Sequence, residues 1–171
     1  MGQRIAFDQL ESLGRQLRVT GQRVVFTNGH FDLVHVGHLR YLQAARDFGD
    51  VLVVGVNDDA VTTRRKGSSR PIVPEDERAE LIAGLRCVDY VVIFHDETAE
   101  SSIRALEPDV YVKGGDYAVD QREIDEGKLP LPEASVVQAY GGEVRTVPLI
   151  PGQSTTNLEQ RIIERVCAKR P

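Results

Sequence analysis

Cysteine is scarce in this chain of 171 residues, and tryptophan is absent. The two cysteines, Cys87 and Cys167, lie far apart and form no Cys-x-x-Cys pair. This argues against a disulfide framework and against a zinc site, so we expect two buried or partly buried thiols. No apolar run approaches the ~18 residues of a membrane-spanning helix, and no signal-peptide apolar block follows the first residues. We therefore expect a cytoplasmic protein that does not bind membranes.

The chain also lacks a surplus of basic residues. Lysine and arginine number 21 against 26 aspartates and glutamates, a net charge of −5. This argues against broad nucleic-acid binding, although a locally positive site could still take a small anion. With 41% hydrophobic residues and this length, the chain fits one globular domain spanning 1–171. We expect a helix within residues 1–20 and a catalytic core over residues 21–171.

Strand and helix patterns alternate along the chain. Apolar runs predict five strands, at 23–27, 51–57, 90–94, 110–112 and 144–147. Helical spacing predicts helices at 5–18, 37–48, 75–86, 97–106, 132–140 and 156–168, with a short helix capped by Asp58 or Asp59. This order indicates an α/β fold, a doubly wound, Rossmann-like sandwich around a five-stranded parallel sheet. The polar stretch at 118–132 is expected to be a surface excursion.

Three of the four histidines, His30, His35 and His38, follow the first predicted core strand. Ligands of open α/β sheets bind at the carboxyl ends of strands, where this segment should lie. Gly37 leaves room for a phosphate to approach the backbone, and the start of the next helix supplies free N–H groups. These features predict a phosphate cradle. A redox dinucleotide site would need Gly-x-Gly-x-x-Gly here, and residues 27–38 do not supply it.

The run TNGHFDLVHVGHLRYL at 27–42 resembles the nucleotidyltransferases that carry the His-x-Gly-His signature. Further segments resemble one branch of that family, the D-glycero-β-D-manno-heptose 1-phosphate adenylyltransferases. These segments are VNDDA (56–60), KGSSRPIVP (66–74), VDYVV (88–92), VKGGDY (112–117), YGGEV (140–144) and STTN (154–157). The resemblance implies transfer of an adenylyl group from ATP to a sugar 1-phosphate, with Mg²⁺ carried in by ATP. It also implies a homodimer.

The resemblance implies a role for each matching residue. His35, His38 and Lys66 would be catalytic. Nucleotide binding would fall to Asn28, Gly29, Phe31, Asp32, Gly37, Arg78, Gly114, Asp116, Ser154, Thr155 and Thr156. Lys113 would bind the sugar phosphate. His30, where the family more often has a small or apolar residue, would either face the sugar or only fill space.

Several of these residues have simpler interpretations. Arg78 could form a surface ion pair with Glu75 or Asp76 in the first turn of its helix. Asp116 could cap a helix after a plain Gly-Gly turn, and Ser154 or Thr155 is also a natural helix N-cap. We expect residues 64–74 to form a mobile basic loop, in which Lys66 closes on triphosphate while Arg64 and Arg65 could be merely solvated.

Two other functions remain open. A cytidylyltransferase acting on glycerol phosphate or a similar small phosphate would share the histidines and the helix start at 154–156. A nucleotide-binding regulatory module without catalysis would be expected to have lost His35, His38 or Lys66, and all three are present.

Overall fold

The computed structural model describes residues 1–118, 121–148 and 152–167, without the side chains of Gln121 and Cys167. In these residues six strands form one sheet, in the order β1-β4-β3-β2-β5-β6, and every neighbouring pair is parallel. The strands are β1 (Gln3–Ile5), β2 (Val24–Gly29), β3 (Val51–Asn57), β4 (Tyr90–Phe94), β5 (Val110–Gly114) and β6 (Glu143–Val147). The α/β, Rossmann-like prediction is confirmed, with six strands in place of five.

Eight α-helices connect or flank the strands in the described part of the chain. They are α1 (Leu10–Val19), α2 (Val36–Arg46), α3 (Asp59–Lys66), α4 (Glu75–Ala83), α5 (Glu100–Leu106), α6 (Gln121–Asp125), α7 (Glu133–Ala139) and α8 (Thr155–Cys167). Among these helices, none is long and apolar enough to span a bilayer. The predicted end of the last helix, Ala168, lies outside the described residues, as do positions 119 and 120 of the predicted excursion.

The core lies on both faces of the sheet. Alternate residues of a strand point to opposite faces, so Phe26 joins one hydrophobic cluster and Val25 the other. Helices α1, α5 and α7 cover the first face, and α2 and α4 cover the second. Because β3 is buried on both sides, its sequence VLVVGVN is apolar up to the final Asn57.

The N-terminal prediction is partly wrong. Residues Gln3–Ile5 form strand β1 beside Tyr90–Val92, and the helix begins only at Leu10, after a turn of 3₁₀ helix. A three-residue edge strand with two exposed positions carries almost no periodic signal. Ile5 therefore happened to match the helical stripe of α1.

The predicted basic loop at 64–74 is also corrected. Arg64, Arg65 and Lys66 form the last turn of α3, where cations stabilise the negative end of the helix dipole. The predicted cap of this helix is confirmed at Asp58, whose carboxylate accepts a hydrogen bond from Val61 N at 2.6 Å. The segment without regular structure is therefore limited to residues 67–74.

Candidate active site

The carboxyl ends of the central strands open onto a pocket of about 500 Å³. Seven residues singled out from the sequence line it: His30, Phe31, Asp32, His38, Lys66, Thr155 and Thr156. Four lining residues, Thr62, Ser69, Arg70 and Glu159, were not among the predicted site residues. The pocket therefore joins the segment after β2, the end of α3, the segment at 67–74 and the start of α8.

The two histidines of the His-x-Gly-His segment stack on each other at the start of α2, with ring centroids 3.9 Å apart. Gly37 N donates a hydrogen bond to Nδ1 of His35 at 3.1 Å, and His35 N donates to Nδ1 of His38 at 3.3 Å. A neutral imidazole carries its proton on one nitrogen only, so acceptance at Nδ1 places that proton on Nε2. Each ring thus keeps one Nε2–H donor for a ligand.

Burial keeps these histidines neutral. The partly buried ring of His38, next to His35, has its pKa lowered to about 4. Burial also lowers the pKa of His35. In the free protein at neutral pH, both side chains are therefore uncharged donors.

Position 37 has no room for a side chain, because neighbouring atoms lie too close to it. A Cβ at this position would lie 2.8 Å from Cε1 of His35 and 3.1 Å from Cβ of Gln153. The absence of a side chain thus lets the His35 ring cap α2 while the chain entering α8 passes beside it.

Phe31 links the strand end to the histidines. It is a buried residue with φ of 49°, in the left-handed region that non-glycine residues rarely adopt, and its ring meets the His38 ring edge-on at 5.4 Å. A Cβ on Gly29 would lie 3.1 Å from the Phe31 ring. Gly29 and Phe31 therefore support His38 through packing, and their predicted contact with nucleotide stays a prediction.

Asp32 anchors the segment at 67–74. Its carboxylate accepts hydrogen bonds from Ile72 N at 2.7 Å, Val73 N at 2.9 Å and Arg70 Nη1 at 2.6 Å. The carboxyl is partly desolvated, which opposes ionisation, but these donors outweigh that cost and lower its pKa. Asp32 thus holds one wall of the pocket in place.

Arg78 is fully buried, and the surface ion pair considered for it is not formed. Its guanidinium donates to the carbonyl oxygens of His30, Asn57 (2.8 Å) and Val73 (2.9 Å), and to Asp59 Oδ1 at 2.7 Å. These bonds tie the ends of β2 and β3 to the segment before α4. The predicted phosphate contact stays a prediction, whereas the geometry gives Arg78 a positioning role.

The three cations at the end of α3 have different surroundings. Arg64 and Arg65 both pair with Glu97, whereas Lys66 lines the pocket. His30 lies between α3 and the strands: its Nδ1 is 2.9 Å from Thr62 Oγ1. Burial and several nearby cations lower the pKa of His30 to about 4, and Lys66 has the largest effect among these cations.

A second group lies at the end of β5, outside the residues that line the pocket. Asn28 Oδ1 accepts hydrogen bonds from Tyr111 Oη at 2.7 Å and from Lys113 Nζ at 3.3 Å. Lys113 Nζ also lies 4.8 Å from the centre of the Tyr117 ring, and burial lowers its pKa. The structure thus brings Asn28 and Lys113 together, as an amide and a partly desolvated ammonium.

Gly114 and Asp116 follow this group, with Asp116 exposed in a turn. The backbone carbonyl of Asp116 accepts a hydrogen bond from Leu129 N at 2.9 Å. No helix starts at this turn, because α6 begins at Gln121, so the alternative of Asp116 as a helix cap is not observed. Its contact with a base remains a prediction.

The start of α8 is capped as predicted by Ser154, whose Oγ accepts a hydrogen bond from Asn157 N at 3.1 Å. Thr155 and Thr156, the first two residues of the helix, line the pocket. A helix start presents N–H groups and a positive dipole end, which favour an anion.

The missed residues left little signal in the sequence. Thr62 and Glu159 stand alone in helical segments, and no local pattern separates them from other polar positions. Arg70 lies in KGSSRPIVP, one of the segments that resemble the heptose branch. From the sequence alone it could not be distinguished from the other cations of the predicted basic loop. Only the pairing of distant segments shows that Arg70 reaches Asp32.

The lowered pKa values predict that acid destabilises the fold. In the unfolded chain His30 and His38 titrate near 6.5, but in the folded chain near 4, so between these values the unfolded state binds more protons. The free energy of unfolding should therefore fall as pH drops from 7 to 4.5, by about 2 kcal/mol per histidine after allowance for partial exposure.

Urea unfolding at a series of pH values measures this slope. His30→Asn and His38→Gln should each make the slope shallower. A slope unchanged in both variants would contradict the assignment of the acid destabilisation to His30 and His38.

The chain is similar to known proteins over most of its length. A sequence model described as cytidylyltransferase-like matches residues 26–161. The chain is 50% identical over 148 residues to "Bifunctional protein HldE" of Syntrophotalea carbinolica, which covers 86% of this chain and 28% of that protein. It is 45% identical over 161 residues to the protein of the same name from Pseudomonas aeruginosa, with coverages of 94% and 32%. The chain thus spans about 30% of the length of these curated relatives.

A solved structure shares the fold. It is the crystal structure of the lipopolysaccharide core biosynthesis protein from Thermoplasma volcanium GSS1, which matches with a TM-score of 0.58 at 30% identity. The match covers 76% of this chain and 98% of that one.

Proposed function

The chain belongs to the cytidylyltransferase-like family of nucleotidyltransferases, and on this premise we propose that it transfers the adenylyl group of ATP to D-glycero-β-D-manno-heptose 1-phosphate, forming ADP-heptose and pyrophosphate. The observation that carries the proposal is the anion pocket. It combines the His38 donor, Lys66, Arg70 and the start of α8 within one cavity.

The chemistry asks little of a base. A phosphomonoester has a second pKa near 6, so the attacking oxygen of the sugar phosphate is already anionic at neutral pH. It forms a bond to the α-phosphorus of ATP while the bond from that phosphorus to the bridging oxygen of pyrophosphate breaks. The protein must hold the groups in line and stabilise the charge that moves onto the leaving group.

The histidines suit that task as neutral donors. Their Nδ1 atoms are engaged by the backbone, so neither ring is free at Nδ1 to remove a proton. Their Nε2–H groups can donate to the α-phosphate and to the departing oxygen. Lys66, Arg70 and the helix start would hold the remaining phosphates.

Mg²⁺ enters this proposal as part of the substrate, bound to the triphosphate. Among the described residues, no three His, Cys, Asp or Glu side chains cluster as ligands, and Asp32 is engaged by three donors of the protein. The donor set therefore fits an anion and does not form a protein cage for a cation. The ion would neutralise part of the phosphate charge.

The choice of acceptor rests on the segments that resemble the heptose branch and on the similar proteins. KGSSRPIVP forms the wall of the pocket held by Asp32, and VKGGDY contains Lys113 beside Asn28. Lys113 is one of the cations that lower the pKa of His30, so a sugar phosphate bound by Lys113 would lie near the pocket. A cytoplasmic location and a homodimer belong to the same proposal, and light scattering of the purified protein tests the dimer.

Pyrophosphate release tests the function directly. The protein with Mg²⁺ is given ATP or CTP, each with the heptose 1-phosphate, glucose 1-phosphate or glycerol 3-phosphate. ATP with the heptose phosphate should release pyrophosphate fastest. A higher rate with CTP and glycerol 3-phosphate would instead assign the cytidylyltransferase activity, and no release from any pair would contradict catalysis.

Lys66 should matter more than Arg64, which lies in the same turn of α3. Lys66→Ala should lower kcat/KM for ATP by about tenfold, because one cation near a phosphate in a partly buried site contributes roughly this much. Arg64→Ala removes the same charge two positions earlier, where Arg64 pairs with Glu97, and should change kcat/KM little. Equal losses in the two variants would indicate diffuse attraction and contradict a specific contact.

A further inference from the structure

Arg70 carries two carboxylates at once. Its Nη1 contacts Asp32, and its Nη2 contacts Glu159 of α8. The Arg70 side chain is only 15% exposed, and all three residues line the anion pocket. The guanidinium therefore faces a carboxylate on each of its outer edges, and it donates a hydrogen bond to Asp32.

The two carboxylates are not equivalent. Asp32 also binds Ile72 N and Val73 N, so its charge is used to hold the backbone of residues 70–73. Asp32 is 7% exposed, whereas Glu159 is 26% exposed. The contact of Asp32 with Arg70 belongs to the wall of the pocket, and the contact with Glu159 is open to exchange.

Glu159 stands where an anionic ligand would compete with it. It lies four residues after Thr155 and three after Thr156, so the three side chains share one face of α8. This places a carboxylate on the same arginine edge that a phosphate at the helix start would seek. A phosphate offers the same planar edge of two acceptor oxygens that a carboxylate offers to arginine.

The formal charge of the pocket also favours replacement of Glu159 by a phosphate. Lys66 and Arg70 are matched by Asp32 and Glu159, while the histidines are neutral, so the formal charges of the lining residues cancel. An anion of high charge binds such a pocket more tightly when one carboxylate moves away from its cation, because that cation then faces the anion alone. Glu159 is the carboxylate that can do so without releasing the 70–73 backbone.

We propose that Arg70 is a phosphate-binding residue of this site and that Glu159 holds its Nη2 edge until a phosphate oxygen replaces the carboxylate. Glu159 thereby sets the affinity for the triphosphate and eases the departure of pyrophosphate, since it takes Arg70 back when the product leaves. This inference rests on the proposed function, whose substrate supplies the phosphate.

The test measures binding of Mg²⁺-pyrophosphate and Mg²⁺-ATP by calorimetry, which needs neither turnover nor a sugar. Glu159→Gln keeps the shape and a hydrogen-bonding oxygen but removes the charge. It should tighten both ligands by about tenfold, because one competing charge at contact distance is lost from a partly buried pocket. In turnover, the KM for ATP should fall while kcat does not rise.

Two further variants make the result specific. Glu164→Gln makes the same change further along α8, where Glu164 is exposed and accepts a hydrogen bond from Gln160, and should leave both affinities unchanged. In an Arg70→Gln background, Glu159→Gln should no longer tighten binding, because the residue through which it acts is gone.

The outcomes separate the two proposals. Equal or weaker affinity in Glu159→Gln, with ATP still turned over, would overturn this inference alone. A raised KM for ATP with a lowered melting temperature would show that Glu159 only stabilises the fold, which would also overturn the inference. Absence of pyrophosphate and ATP binding from every variant would overturn the proposed function and this inference with it.

Discussion

His38→Ala should lower turnover by roughly 10²–10³, the usual effect of removing one donor that stabilises charge growing in the transition state. The neutral ring donates through Nε2–H, and alanine removes that donor without changing any protein charge at neutral pH. ATP affinity should fall much less, because the other phosphate contacts remain. Steady-state rates of pyrophosphate release, together with ATP titrations, separate the two effects.

His95→Ala is the matched control for this experiment. His95 is exposed after β4 and contacts Asp58, so the same deletion there should leave turnover unchanged. His35→Ala should resemble His38→Ala in rate but also lose helix-capping stability of about 1 kcal/mol, since His35 caps α2. Near-normal turnover in a folded His38→Ala variant would contradict the role of the histidine as a phosphate donor.

Arg78→Ala should destabilise the fold by about 3–5 kcal/mol, because the hydrogen-bond partners of this fully buried guanidinium would be left without a donor. Three backbone carbonyls and the carboxylate of Asp59 would each lose a donor. For a chain of this size the melting temperature should fall by about 10 °C. Thermal unfolding without ligand measures the change.

Arg86→Ala provides the control for Arg78. Arg86 is exposed beyond the end of α4, and its truncation should change stability by no more than about 0.5 kcal/mol. If Arg78→Ala kept its melting temperature but lost ATP affinity, the positioning role would be wrong, and direct contact with phosphate would be supported.

Local sequence signals were sufficient for the fold class and for the edge of the sheet where the pocket lies. Strand β3 could be recognised because burial on both faces demands an uninterrupted apolar run. The His-x-Gly-His segment could be placed at a helix start because local rules decide caps: His35 and Ser154 both bind N–H groups two or three residues ahead. Signals that operate within one turn of helix or one strand are readable in order along the chain.

Features that depend on residues far apart could not be read in this way. β1 forms because β4 offers an edge about 87 positions away, and no local period announces such pairing. Arg78 has the pattern of an exposed helix residue, yet the segments after β2 and β3 converge on it and bury it completely. Helical spacing shows which residues share a face, but not what covers that face.

The composition of the anion pocket shows the same division. The order of residues is enough to establish that histidines, Lys66 and a threonine helix start occur in segments that strand order brings to one edge of the sheet. The folded chain is needed to show that Arg70 lies between Asp32 and Glu159, while Arg64 and Arg65 pair with Glu97. Charge pairing depends on distance in space, so four nearby cations of similar character acquire different roles only once the fold supplies their partners.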